Sequence, residues 1–160
     1  MSLDTQCLNR ELKNDRYFAS YHPFLPFLDP DSTPDHYFGL TPLLGWSIVM
    51  VAARRFRRHP YLLEQLREEY STLVRSTVSD VPQYYYVVKA LCLICFWPLP
   101  TTLGHLDPTF QLCGTMMQTA LQNLLHRPIQ NFLRIQGSLP EAEQYDRLIT
   151  WAACNVVTER

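Results

Sequence analysis

Few side chains in this chain are spaced to do chemistry. Cys92-Leu-Ile-Cys95 has the C-x-x-C spacing of zinc and redox sites. A zinc site needs four converging ligands, and no second cysteine pair exists in the sequence. The pair also sits inside an apolar run rather than on a turn, so it reads as two small buried residues. His22, His36, His59, His105 and His126 show no His-x-x-x-His spacing. A Gly-rich phosphate loop and a Gly-x-Ser-x-Gly elbow are both missing. Asp29, Asp31 and Asp35 could attract a cation, but in a proline-rich loop such residues more commonly cap turns. These patterns lead to a chain that is not an enzyme and holds no metal or cofactor of its own.

Two short basic motifs remain as candidate contacts. Arg54-Arg55-Phe56-Arg57-Arg58 is the basic cluster of a chain with net charge -1. It could touch phosphate or serve nuclear import, but cations also suit the negative end of a helix. His126-Arg127-Pro128 follows an apolar stretch, where such residues bond the free carbonyls of a helix end or meet a partner. Arg54, Arg55, His126 and Arg127 are therefore the candidate partner or helix-end contacts.

What would position these residues is a set of helices around one apolar run. From Tyr84 to Trp97, in QYYYVVKALCLICFWPLP, Lys89 is the only charge. A helix apolar on all sides must be wrapped by other elements. Fourteen residues make about 21 Å of helix, too short for the roughly 30 Å hydrocarbon core of a bilayer, so no membrane role is expected. Strand is the alternative, since Tyr, Val, Ile and Phe favour sheets. The flanking prolines favour helix, with Pro82 in the first turn and Pro98 and Pro100 stopping it.

Before this run, a first helix is expected over Asn9 to Tyr21. Tyr21 to Pro42 then carries five prolines in 22 residues. That forbids a long regular element, yet Phe24, Leu25, Phe27 and Leu28 should bury, giving an ordered loop across the helices. Thr41-Pro42 opens a second, buried helix through Ala53. His59-Pro60 opens a third, with Leu62, Leu63, Leu66, Tyr70, Leu73 and Val74 in one stripe. Asp107-Pro108 opens the next, with Phe110, Leu112, Cys113, Met116, Met117, Ala120, Leu121, Leu124 and Leu125 expected inward. Ser138 and Glu141 have capping-box spacing before a last helix that bears Tyr145, Leu148, Ile149, Cys154, Val156 and Val157. The fold class is all-α: a superhelical or bundle array around a buried central helix. Ending on apolar residues inside a helical pattern, the chain reads as an incomplete domain.

Five stretches in this order resemble the fungal-specific transcription factor domain. This is the middle-homology, or regulatory, region of fungal binuclear zinc-cluster transcription factors. They are YFASYHPFLPFLD (Tyr17 to Asp29), TPLLGWSIVMVAARRF (Thr41 to Phe56), VVKALCLICFWPLP (Val87 to Pro100), DPTFQLCGTMMQTALQNLLHRP (Asp107 to Pro128) and DRLITWAACNVV (Asp146 to Val157). The similarity is nearest to the secreted-protease gene activator subfamily. It implies a nuclear, all-α regulatory domain that makes protein or self-association contacts, with a small-molecule effector as an option. In that family zinc and DNA belong to a separate six-cysteine module. Only Cys7 precedes Cys92 here, so that module is expected to be absent from residues 1 to 160, read as one truncated regulatory domain. The second reading is a stand-alone helical protein that pairs with full-length relatives as inhibitor or adaptor. The sequence departs from the family pattern at Leu124, where glycine is usual, and at Gly45, where a large apolar residue is usual.

Overall fold

In the computed structural model, residues 16–56, 61–100, 107–127 and 140–160 are described. A helical turn at Phe18–Ser20 and a 3-10 turn at His22–Phe24 lead into the proline-rich segment. The rest of the expected first helix, through Asp15, lies outside the described residues. Leu25, Phe27 and Leu28 are buried as expected, but Phe24 is 70% exposed. Its neighbour Pro23 opens the 3-10 turn, which faces Phe24 outward while Leu25 turns in.

This segment also contains a helix that proline counting hides. Thr33 is extended, its hydroxyl accepts from His36 N at 3.3 Å, and Pro34 fills the first turn of α1 (Pro34–Leu40). α2 (Pro42–Ala53) follows after extended Thr41. Proline opens it as anticipated, though the Thr41 hydroxyl makes no cap bond. Every residue of α2 except Pro42 and Trp46 is buried. Its β-branched Ile48, Val49 and Val51 are only moderate helix formers, so packing overrides propensity here. Ser47, buried among them, donates to Leu43 O at 2.7 Å and lies 2.8 Å from Tyr70 Oη.

α3 (Leu62–Ser79) is amphipathic, with Leu62, Tyr70 and Val74 buried on the expected stripe. The His59-Pro60 start, with Arg57 and Arg58, lies outside the described residues. Asp80 and Pro82 do not start the next helix. Asp80 closes α3, the Val81–Pro82 bond is cis, and α4 (Tyr85–Phe96) begins three residues later. Gln83 bridges the junction: its amide donates to Thr77 O at 3.3 Å and also to Val78 O, and its Oε1 accepts from Thr119 Oγ1 at 2.7 Å.

α4 is the interior rod. Tyr85 and Val87 through Cys95 are all buried. It packs against α2 and against both later helices, α5 (Thr109–Gln122) and α6 (Glu141–Thr158). A fully buried Leu, Ile or Val contributes about 1.5–3 kcal/mol, so this rod and α2 carry most of the core. All regular structure among the described residues is helical. None of those helices is long and apolar enough to cross a membrane.

On α5, Met116, Ala120 and the following Leu125 are buried, but Phe110 is 90% exposed and Leu121 faces outward. Both were expected inside; the helix has more apolar residues than its buried face accepts. α6 starts after Pro140, and the Ser138 half of the capping box lies outside the described residues.

The two departures from the family pattern have physical explanations. Leu124 has φ 57°, the left-handed region that favours glycine. Leu125 N donates to Ala120 O and Leu124 N to Leu121 O, both at 3.0 Å, which is a Schellman end to α5. Gly45 is a close approach: a Cβ there would run into the Phe38 ring of α1, which packs edge-on against Trp46.

Candidate functional site

The four candidate contacts lie at the two ends of α4. Arg54, exposed after α2, donates from Nη1 to Pro98 O at 2.6 Å and more weakly to Trp97 O at 3.5 Å. Arg160 donates to Phe96 O and stacks over the Phe96 ring at 4.5 Å. Arg160 thus takes a terminal carbonyl of α4, and Arg54 holds the turn just beyond it, both near the negative end of the macrodipole. Arg55 is exposed, and its carbonyl accepts from Arg16 at 3.2 Å.

His126 and Arg127 are exposed near the other end, since Asn123 Nδ2 donates to Gln83 O at 3.0 Å just before α4 begins. α4 itself, twelve residues long, runs about 18 Å between these two ends. His126 faces Trp151 of α6, with ring centroids 6.0 Å apart. The free α5 carbonyl of Asn123 is taken by Arg147.

The C-x-x-C cysteines do not converge. Cys92 Sγ lies 3.4 Å from Met116 Sδ and 3.7 Å from Cys154 Sγ, whereas Cys95 points at Thr109 O, 3.8 Å away. Burial pushes the Cys92 thiol well up and the Cys95 thiol to about 12, so both stay protonated at neutral pH. Among the described residues no group of three or more His, Cys, Asp or Glu is placed to hold a metal ion. Asp29 works as a turn residue: it accepts from Asp31 N at 3.0 Å and Ser32 Oγ at 2.8 Å, and the Ser32 bond, more than any other contact, lowers its pKa.

A polar site the motifs did not reveal lies under the proline-rich segment. Lys89, in the first half of α4, is 4% exposed. Its ammonium donates to Asp146 Oδ1 of α6 at 2.6 Å and to Phe27 O at 3.3 Å. Tyr85 Oη donates to the other Asp146 oxygen at 3.0 Å. Burial lowers the Lys89 pKa and outweighs the opposing pull of the Asp146 carboxylate. Burial likewise raises the Tyr85 pKa. The sequence signal was present: a single lysine in an otherwise apolar helix must find a carboxylate or stay in water.

This ion pair forms part of a half-open cavity of about 650 Å³, within the usual range for small-molecule sites. The proline-rich segment, α4 and the first half of α6 wall it. A second groove, of about 700 Å³, lies between α3 and the start of α5 and is lined mainly by apolar residues such as Val74, Ile94 and Leu112. Both are open enough to admit a ligand or a partner side chain.

No family model matches the chain, and no solved structure matches it. Curated relatives do. Regulatory protein LEU3 of Saccharomyces cerevisiae is 28% identical across 89% of this chain. Putative transcription factor SEF1 of Kluyveromyces lactis is 29% identical across 84% of it, and its counterpart in Eremothecium gossypii 28% across 84%. The chain is thus similar to a fungal regulatory protein and to putative fungal transcription factors. It spans only 18% of the length of LEU3 and 12% of that of the K. lactis protein.

Proposed function

We propose that this chain is a segment of the regulatory region of a fungal zinc-cluster transcription factor. It acts in the nucleus on transcription by RNA polymerase II, through protein or effector contacts rather than catalysis. Any DNA contact comes from a separate zinc-cluster module. The observation that carries the reading is similarity to LEU3 and SEF1 along most of the chain. The cavity beside Lys89 is the proposed place for an effector, because it joins three separate parts of the fold and so can bias their packing. Arg55 and Arg127, exposed at opposite ends of the α4 region, are the proposed partner contacts, with Arg54 and His126 beside them. Regulation of secreted-protease genes rests on the resemblance of the five sequence stretches alone.

The test is a reporter in yeast. Residues 1–160 are placed between a heterologous DNA-binding domain and an activation domain. The expected result is an output changed several-fold from that of the same fusion carrying an inert helical spacer. Equal outputs would defeat the proposal.

One observation favours the second reading, a helical protein that pairs with full-length relatives. Tyr145, Leu148 and Val156 leave apolar side chains exposed along α6. On that reading the purified chain co-elutes with a full-length relative and lowers the output of its reporter, whereas a regulatory segment acts only when fused in cis.

A further inference from the structure

We propose that the cavity between the proline-rich segment, α4 and α6 binds a small organic cation, an amine or quaternary ammonium, between aromatic rings and carboxylates. The inference deepens the effector reading above and rests on it for its regulatory meaning.

Aromatic side chains come to the walls from every element: Phe27 and Tyr37 from the proline-rich segment, Tyr86 from α4, and Tyr145 from α6. Ring faces carry partial negative charge and attract cations. The charges point the same way. Three carboxylates line the cavity, those of Asp29, Glu143 and Asp146, against one ammonium, Lys89, and the imidazoles of His22 and His36. Lys89 is already committed to Asp146 Oδ1 and Phe27 O, so an anion would have to compete for its ammonium and would meet three like charges. A cation would meet carboxylate oxygens with acceptor capacity to spare. The Asp146 carboxylate accepts one hydrogen bond on each oxygen and is 34% exposed, while the Arg147 nitrogen paired with Glu143 stands off at 3.9 Å.

The chain's own cations already use this chemistry. Lys89 Nζ sits 5.8 Å from the Phe27 ring centroid, and the Arg147 guanidinium lies 4.9 Å over the Tyr85 ring. Tyr145, 64% exposed, is the aromatic wall most open to an incoming ligand. The volume of about 650 Å³ admits a drug-sized molecule and leaves an ion of bare-metal size poorly held.

Choline and its uncharged isostere 3,3-dimethylbutanol separate the charge from the shape, and sodium acetate tests an anion. All three are titrated into the full chain by calorimetry at matched ionic strength. Choline is expected to bind at least about tenfold more tightly than the isostere, with acetate silent. Tyr145→Ala and Glu143→Gln, each with unchanged helical content, are expected to weaken choline several-fold. Equal binding of the isostere, binding of acetate instead, no binding of any probe, or unaffected variants would each overturn the proposal. A silent titration alongside a responding reporter sinks this inference alone. A bound cation with an unresponsive reporter sinks the regulatory reading and leaves the site standing.

Discussion

Removing either partner of the Lys89–Asp146 pair should have unequal consequences. The Lys89 side chain is 5% exposed and that of Asp146 34%. Asp146→Asn removes the countercharge and leaves an ammonium in the core facing only neutral acceptors, the Asn amide oxygen and Phe27 O. Leaving one member of a buried pair unmatched costs about 3–5 kcal/mol. Lys89→Met keeps the volume and leaves a carboxylate that still holds Tyr85 Oη and reaches solvent, so its cost should stay within about 1 kcal/mol. The double variant, with no charge left inside, should recover most of the Asp146→Asn loss. Acidity supplies a second readout. Burial already lowers the Lys89 pKa, and loss of the carboxylate lowers it further. Between that folded value and the unfolded value near 10.4 the unfolded chain binds more protons, so the stability of Asp146→Asn rises with pH, by at most about 1.4 kcal/mol per pH unit. Urea melts followed by circular dichroism between about pH 7 and 9.5 measure both effects. Equal costs for the two single variants, or an Asp146→Asn cost that ignores pH, would refute the reasoning.

Other predictions follow from single residues. Leu124, at φ 57°, should tolerate glycine better than alanine: Leu124→Gly is expected to melt as more stable than Leu124→Ala by about 0.5–1 kcal/mol, and the reverse order would place the residue in ordinary helix. The Tyr17 hydroxyl is buried without a hydrogen-bond partner among the described residues, so Tyr17→Phe should stabilise the chain by about 1 kcal/mol in the same melts; a loss would reveal a partner outside them. Gly45→Ala should push the Phe38 ring off α2 and cost about 1–3 kcal/mol, with a changed near-ultraviolet signal from Trp46; an unchanged melt would mean that α1 is not seated as described. Burial raises the pKa values of Tyr17 and Tyr70, a contribution fully present below the unfolded value near 10 and lost as pH climbs past it. Alkaline titration should show their tyrosinate absorbance appearing only together with loss of helix; earlier ionisation would contradict their burial.

How far the fold was legible depended on the kind of signal each element carries. α4 and α2 announced themselves, because a run that is apolar on all sides has nowhere to go but inside. α3 was equally open to reading, since Leu62, Tyr70 and Val74 repeat at helical spacing. α1 was hidden because Pro34 served as its first turn, in a segment where proline count argued against any helix. Phe110 and Phe24 were placed inside by their type, but type cannot say which of several apolar residues on a helix finds a neighbour. The cavity was out of reach for a different reason. Lys89 and Asp146 stand 57 positions apart, and only the packing of α6 along α4 brings them within 2.6 Å.

That packing gives α6 two jobs on two faces. Its inner face places Asp146 against Lys89, and its first turns offer Glu143 and Tyr145 to the cavity. Its outer stripe leaves Leu148 and Val156 uncovered beside Tyr145, the residue shared with the cavity. On the proposed reading, a ligand in the cavity and a protein on the outer stripe touch the same rigid element. Coupling between them then requires only that the seat of α6 differ between two states, and linkage makes any such coupling equal in both directions. Its size is bounded by the differential affinity of the ligand for those states: a tenfold preference yields about 1.4 kcal/mol and no more. A ligand with a tenfold preference between those states that tightens partner binding by more than tenfold therefore acts through some difference other than the seat of α6.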